Sequence, residues 1–188
     1  MHNVLIVAAH RTPDASRINR AAIDTLTGMK NITVHELMRE YPDFNIDVAR
    51  EHQLLMAHDV VVLLFPFYWY STPAILKEWL DVVLTRGFAY AGGTALQGKT
   101  LLVATSTGGT AEAYTAGGYN QHPVEALLLP LRNTANRTGM VWQTPQLIQG
   151  ANAITDEEIT LGVDQLVMRI SKLQGQHPRR PYHDQRAF

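Results

Sequence analysis

Apolar residues fall into five short runs separated by stretches with helical spacing. Val4-Leu5-Ile6-Val7-Ala8-Ala9 is continuous and partly β-branched, and Val60-Val61-Val62-Leu63-Leu64-Phe65 is the strongest such run. A run without alternation reads as a strand buried on both faces, as in a parallel sheet. Asn31 to Leu37, Leu101 to Thr105 and Val141 to Ile148 give three more strands. Helical patterns lie between them. Ile18, Ala22, Ile23 and Leu26 follow an N-cap at Ser16, and Val48, Leu55 and Met56 follow one at Asp47. Ile75, Leu76, Trp79, Leu80 and Val83 follow Pro73, a tolerated first helical residue. Val124 to Ala135 is helical with a kink expected at Pro130, and a last helix behind Thr155 carries Ile159, Val163, Leu166 and Ile170. The alternation predicts an α/β fold. Its core is a doubly wound five-stranded parallel sheet, order 2-1-3-4-5, with helices on both faces.

Length and composition narrow the classes. The 188 residues suit one domain, 1–175, followed by a basic tail, 176–188, expected to be flexible. That tail holds His177, His183, Arg179, Arg180 and Arg186. Sixteen basic and 17 acidic residues give a net charge of -1, which argues against nucleic-acid binding through a large basic field. The absence of cysteine excludes disulfides, thiolate metal sites and cysteine nucleophiles. The eight histidines show no metal-helix spacing, so no metal is expected. No apolar run approaches the roughly 18 residues of a membrane span, and none at the N-terminus suits a signal peptide. A cytoplasmic protein is expected.

Gly93-Thr94-Ala95-Leu96-Gln97-Gly98-Lys99-Thr100 satisfies the phosphate-loop pattern G-x-x-x-x-G-K-[ST]. Such a loop must follow a strand and open a helix. Here it precedes a strand, and Phe88 to Gly92 reads as the close of a helix, so the context test fails. Three other loops follow predicted strands, where ligands bind in open α/β sheets. The first, His10 to Asn19, puts Ser16 and Asn19 at a helix start, which suits a phosphate or a simple cap. The second, Pro66 to Thr72, sets Phe67, Tyr68, Trp69 and Tyr70 side by side. Four adjacent aromatics cannot all face a core, so a planar ligand, a partner subunit or packing of two of them must account for the rest. The third, Ser106-Thr107-Gly108-Gly109, permits close backbone approach or is a flexible turn. Tyr114 beyond it is a donor over a ring or a surface tyrosine. His10 reads more readily as a packing residue than as a catalyst.

Taken together, these segments resemble the flavodoxin-like NAD(P)H:quinone oxidoreductases, and most of all the ancillary subunits of Kef glutathione-gated potassium-efflux systems. The likeness rests on Val4 to His10 with Ser16 and Asn19, on Tyr41-Pro42-Asp43-Phe44-Asn45-Ile46-Asp47 and on Pro66-Phe67-Tyr68-Trp69-Tyr70-Ser71. It continues through Leu76 to Asp81, Arg86 to Tyr90, Gly98-Lys99 and Thr107-Gly108-Gly109. It implies a homodimer with FMN, favoured over FAD by the short chain, that carries hydride from NAD(P)H to a quinone-type acceptor by a ping-pong route. The resemblance implies that His10, Ser16, Arg17, Ile18 and Asn19 hold the flavin phosphate end. Pro66, Phe67, Tyr68 and Trp69 would flank the ribityl chain and ring, and Ser106, Thr107, Gly108 and Gly109 would meet the isoalloxazine edge. Gly109 and Tyr114 would act in catalysis, Tyr114 near the substrate. Asn120 stands six residues after Tyr114, where larger relatives have histidine, and His122 lies just beyond. A regulatory role toward a potassium-efflux transporter at the inner membrane is the alternative. For it, Tyr41, Asp43, Phe44 and Asp47 read either as a docking surface or as a structural cap.

Overall fold

The computed structural model describes residues 1–175; the expected basic tail lies outside them. The described chain runs β1 (Val4–Ala8), α1 (Arg17–Leu26), β2 (Ile32–Glu36), α2 (Leu37–Glu40), α3 (Val48–Ala57), β3 (Val60–Pro66) and α4 (Ala74–Val83). It continues with β4 (Thr100–Thr107), α5 (Val124–Leu127), α6 (Leu129–Thr138), β5 (Val141–Trp142), β6 (Gln146–Gln149) and α7 (Asp156–Gln174). The strands pair in the order β2-β1-β3-β4-β5, with β6 also on β4, and every ladder is parallel. This is the flavodoxin-like order read from the sequence.

The continuous apolar runs are explained by two cores. Side chains alternate across a strand. Leu5, Val7, Val61, Leu63, Phe65, Leu101 and Val103 pack with α2 to α6. Val4, Ile6, Ala8, Val60, Val62, Leu64, Leu102 and Ala104 pack with α1 and α7.

Several local readings change. The fifth strand is two pieces, because the register on β4 gains one residue between Trp142↔Leu101 and Gln146↔Ala104. Pro145 in the break has no N–H for a ladder, and Arg169 on α7 donates from Nη1 to its carbonyl at 3.0 Å. Pro130 divides the predicted helix into α5 and α6 at Leu128. Phe88 to Gly92 does not close a helix: α4 ends at Val83, and the segment is a loop held by His52. The His52 ring stacks on Phe88 with centroids 3.5 Å apart, and its Nε2 lies 2.8 Å from the Val83 carbonyl. Met56, expected on the apolar side of α3, is exposed.

In place of Met56, α3 buries a carboxylate. Glu51 is 0% exposed. Its Oε1 accepts from Tyr41 Oη at 2.5 Å and lies 2.8 Å from His35 Nε2, while Oε2 accepts from Trp79 Nε1 at 2.7 Å. Burial pushes the Glu51 pKa up, but the bonds from His35, Tyr41 and Trp79 outweigh it and hold the group below its ordinary value. The same contact, after burial, raises the Tyr41 pKa. Tyr41 is therefore a buried anchor, not the docking residue weighed from the sequence. Asp47 is likewise occupied, capping α3 by accepting from the Arg50 N–H at 3.0 Å. Removing the carboxylate strands three buried donors. Glu51→Ala is expected to cost about 3–5 kcal/mol in urea unfolding. Because the folded pKa is depressed, this stabilisation is full above the unfolded value and disappears as pH falls through the folded one. Urea midpoints should therefore drop on acidification below about pH 4.5, the group's ordinary pKa, and drop less in Glu51→Gln.

Candidate functional site

Parallel strands end on one edge of the sheet, so the loops after β1, β3, β4 and β6 share that edge. Between them lies a cleft of about 690 Å³, within the range of about 300–1,000 Å³ for small-molecule sites. The first loop contributes His10, Ser16, Arg17 and Ile18, the second Pro66 to Trp69, and the third Ser106 and Gly108.

Ser16 caps α1: its Oγ accepts from the Asn19 N–H at 3.1 Å. The N–H groups of Arg17 and Ile18 belong to the first turn, which the helix itself cannot pair. At that end the helix dipole is positive. Thr12 N–H donates to His10 Nδ1 at 3.1 Å, so the neutral ring carries its proton on Nε2, 3.0 Å from Tyr68 Oη. Burial lowers the His10 pKa, which favours this neutral form.

The aromatic loop is a two-residue turn. Tyr68 and Ser71 exchange backbone bonds of 3.1 and 2.9 Å, and Trp69 and Tyr70 between them have φ of 47° and 63°. Left-handed backbone at bulky residues costs on the order of 1–3 kcal/mol each and clusters at ligand sites. Phe67 turns into the core, whereas Trp69 is 91% exposed. The glycine turn is fixed from behind. The Gly109 carbonyl accepts from Thr107 Oγ1 at 2.8 Å and Gly150 N–H at 2.9 Å, and Ala151 N–H donates to the Thr107 carbonyl.

Four sequence-derived residues do not line the cleft. Asn19 is 2% exposed and faces a small void between β1, α1 and Glu36. Thr107 is wholly buried beneath the turn. The space beside Gly109, expected to admit a ring, is held by the chain's own tyrosines. A Cβ there would sit 2.6 Å from Tyr119 Oη and 3.2 Å from Tyr114 Cε2. Burial and the neighbouring Tyr119 and Tyr70 raise the Tyr114 pKa. Asn120 ties this side to the aromatic turn by accepting from Tyr70 Oη at 2.9 Å.

Four lining residues went unread: Arg11 and Ala15 in the first loop, and Ala151 and Asn152 in the loop after β6. Asn152 packs on Gly108, where a Cβ would lie 3.2 Å from Asn152 Nδ2. The signal was present, because Gly150, with φ of 79°, follows the fifth strand at the same edge. Lys99 of the phosphate-loop pattern lies at the other end of β4, beside Thr100. Its Nζ donates to the His58 carbonyl at 2.7 Å, so the lysine caps the end of α3. A second groove of about 530 Å³ runs between α4 and α6 and shares Phe67 and Tyr70 with the aromatic loop. It has an apolar floor including Leu80, Leu84 and Leu131, and the strand ends do not converge on it.

Comparison with known proteins agrees with this architecture. A family model described as the flavodoxin-like fold matches residues 2–169. The chain is 42% identical over 164 residues to an uncharacterized NAD(P)H oxidoreductase, YrkL, of Bacillus subtilis, covering 87% of this chain and 94% of that one. It is 46% identical over 149 residues to the glutathione-regulated potassium-efflux system ancillary protein KefG of Serratia proteamaculans, covering 79% and 81%. Among solved structures, general stress protein 14 of Treponema denticola in complex with FMN superposes with a TM-score of 0.87 at 34% identity, covering 92% and 99%. An NADPH-quinone reductase from P. pentosaceus gives 0.80 at 29% identity, covering 87% and 94%. The chain belongs to the flavodoxin-like fold family.

Proposed function

We propose that this protein is an FMN-dependent oxidoreductase that passes hydride from NAD(P)H to a quinone-type acceptor, and that it works as a cytoplasmic homodimer. The observation that carries the reading is the convergence on one cleft of a capped helix N-terminus, an aromatic turn and a glycine turn. The relatives named NAD(P)H oxidoreductase and NADPH-quinone reductase, and the one solved with FMN, support it.

The residues present fit that cofactor. The first-turn N–H groups of Arg17 and Ile18, with Arg17's positive charge, suit a phosphate. Trp69 and Tyr68 offer flat surfaces for a ring system. Gly108 lets the backbone come close, and the N–H groups of Gly108 and Gly109 suit negative charge on a flavin's carbonyl edge. FMN supplies the hydride chemistry when bound, and the protein supplies position and electrostatics. Tyr114, its pKa raised by burial, keeps its proton where its ring packs on the Gly109 turn, and it supports that turn from the side away from the cleft. The exposed Trp69, Tyr70 and Tyr119 and the neighbouring apolar groove suit cover by a second copy.

The KefG likeness favours a second reading, in which the protein also regulates a potassium-efflux transporter. Efflux measured on co-expression with such a transporter would separate the two; no stimulation leaves the oxidoreductase alone.

Purified protein should be yellow and release FMN on chromatography, whereas a colourless protein that takes up no added FMN would overturn the main reading. Ser16→Ala should weaken FMN binding about tenfold through the lost hydroxyl and the loosened cap, while Asn19→Ala should change stability more than affinity. Initial rates with NAD(P)H and a soluble quinone both varied should give parallel reciprocal plots; intersecting lines would point to separate donor and acceptor pockets. Light scattering should give twice the chain mass of 21.0 kDa.

A further inference from the structure

The cleft has an end wall that the glycine and aromatic turns do not explain. Arg17, the first residue of α1, reaches across to the loop after β6. Its Nη1 and Nη2 donate to the Ile154 carbonyl at 3.2 and 3.3 Å, and Nη2 pairs with Asp156 at 2.5 Å. Asn152 of the same loop lines the cleft beside it. The loop is pinned independently by Gly150 N–H on the Gly109 carbonyl and Ala151 N–H on the Thr107 carbonyl. It is therefore a fixed post, and Arg17 is the strap fastened to it.

We infer that this strap closes the phosphate end of the cleft against a second nucleotide half, so that the site takes a flavin mononucleotide and rejects the dinucleotide FAD. The inference rests on the proposed FMN reading. With a phosphate at the N-terminus of α1 and the ring toward Gly108, both of which line the cleft, a second phosphate and its adenylate would have to leave on the other side, past Arg17. There they would meet the strap, and beyond it α7 opens with Asp156, Glu157 and Glu158, three acidic residues in its first turn. Those charges suit the helix dipole but repel a pyrophosphate. The pair of Arg17 and Asp156 is exposed, with side-chain accessibilities of 54% and 87%. Such pairs are individually weak, so the strap and the acidic turn together discriminate by about tenfold, not absolutely.

The test uses the full chain stripped of flavin, with FMN and FAD affinities from flavin fluorescence titration. Wild type should prefer FMN about tenfold. Asp156→Ala removes the charged fastening of the strap, leaving the Ile154 carbonyl bonds, and keeps the Arg17 charge. It should leave FMN affinity within about threefold and tighten FAD severalfold. Adding Glu157→Ala should narrow the preference further. Thermal melts of each variant control for loss of the helix N-terminus. Wild type that binds both flavins equally, or a preference that neither variant alters, would overturn the strap while leaving the FMN reading intact. Apoprotein that binds neither flavin would overturn both.

Discussion

Everything at the site depends on β3 being buried on both faces. All seven residues from Val60 to Pro66 are buried, so each face must be covered by helices. Helices that return to cover a sheet force the strands to run parallel. Parallel strands deliver their following loops to one edge. A helix N-terminus, an aromatic turn and a glycine turn thus meet in space from residues 16, 69 and 108. No residue of the cleft needs to be near another in sequence for this to hold. The apolar composition of the strands, which has no chemistry of its own, is what assembles the chemistry.

The second constraint is the carboxylate of Glu51. It links β2 through His35, the end of α2 through Tyr41 and α4 through Trp79. Helix α4 begins two residues after the aromatic loop, so the network fixes the rear support of that loop. A buried charge tolerates few alternative packings, because any slip of one element leaves a donor or the carboxylate unpaired. This gives a structural reason for the Tyr41 to Asp47 segment: Tyr41 supplies a bond in the core and Asp47 starts α3.

Much of this was legible in the sequence, for identifiable reasons. Val4 to Ala9 and Val60 to Phe65 announce themselves as two-sided strands, and the rule that ligands bind beyond carboxyl ends selects the right loops. Ser16, Trp69 and Gly108 could be placed at the cleft by that rule. What could not be read depends on contacts between distant segments. Asn19 lies one turn after Ser16 and its N–H donates to the Ser16 hydroxyl, yet its side chain is buried beside Ile23 and Glu36, a placement set by the packing of α1 on β1 that no local pattern displays. The Tyr119 hydroxyl that fills the space at Gly109 comes from ten residues further on. Glu51 looks like a surface position of an amphipathic helix until Tyr41 and Trp79 are brought to it. The split of the fifth strand follows from one extra residue in a ladder, and sequence periodicity cannot register that.

The proposed ligand site is the edge cleft, and neither the apolar groove between α4 and α6 nor the Gly93 to Lys99 loop. Amide chemical shifts of isotope-labelled apoprotein during titration with FMN test this most directly. The largest changes are predicted at the N–H groups of Arg17, Ile18, Gly108 and Asn152, with Lys99 and Thr100 unmoved. Changes concentrated at Leu84, Leu131 and Arg137, or at Gly98 and Lys99, with Arg17 and Gly108 silent, would contradict it.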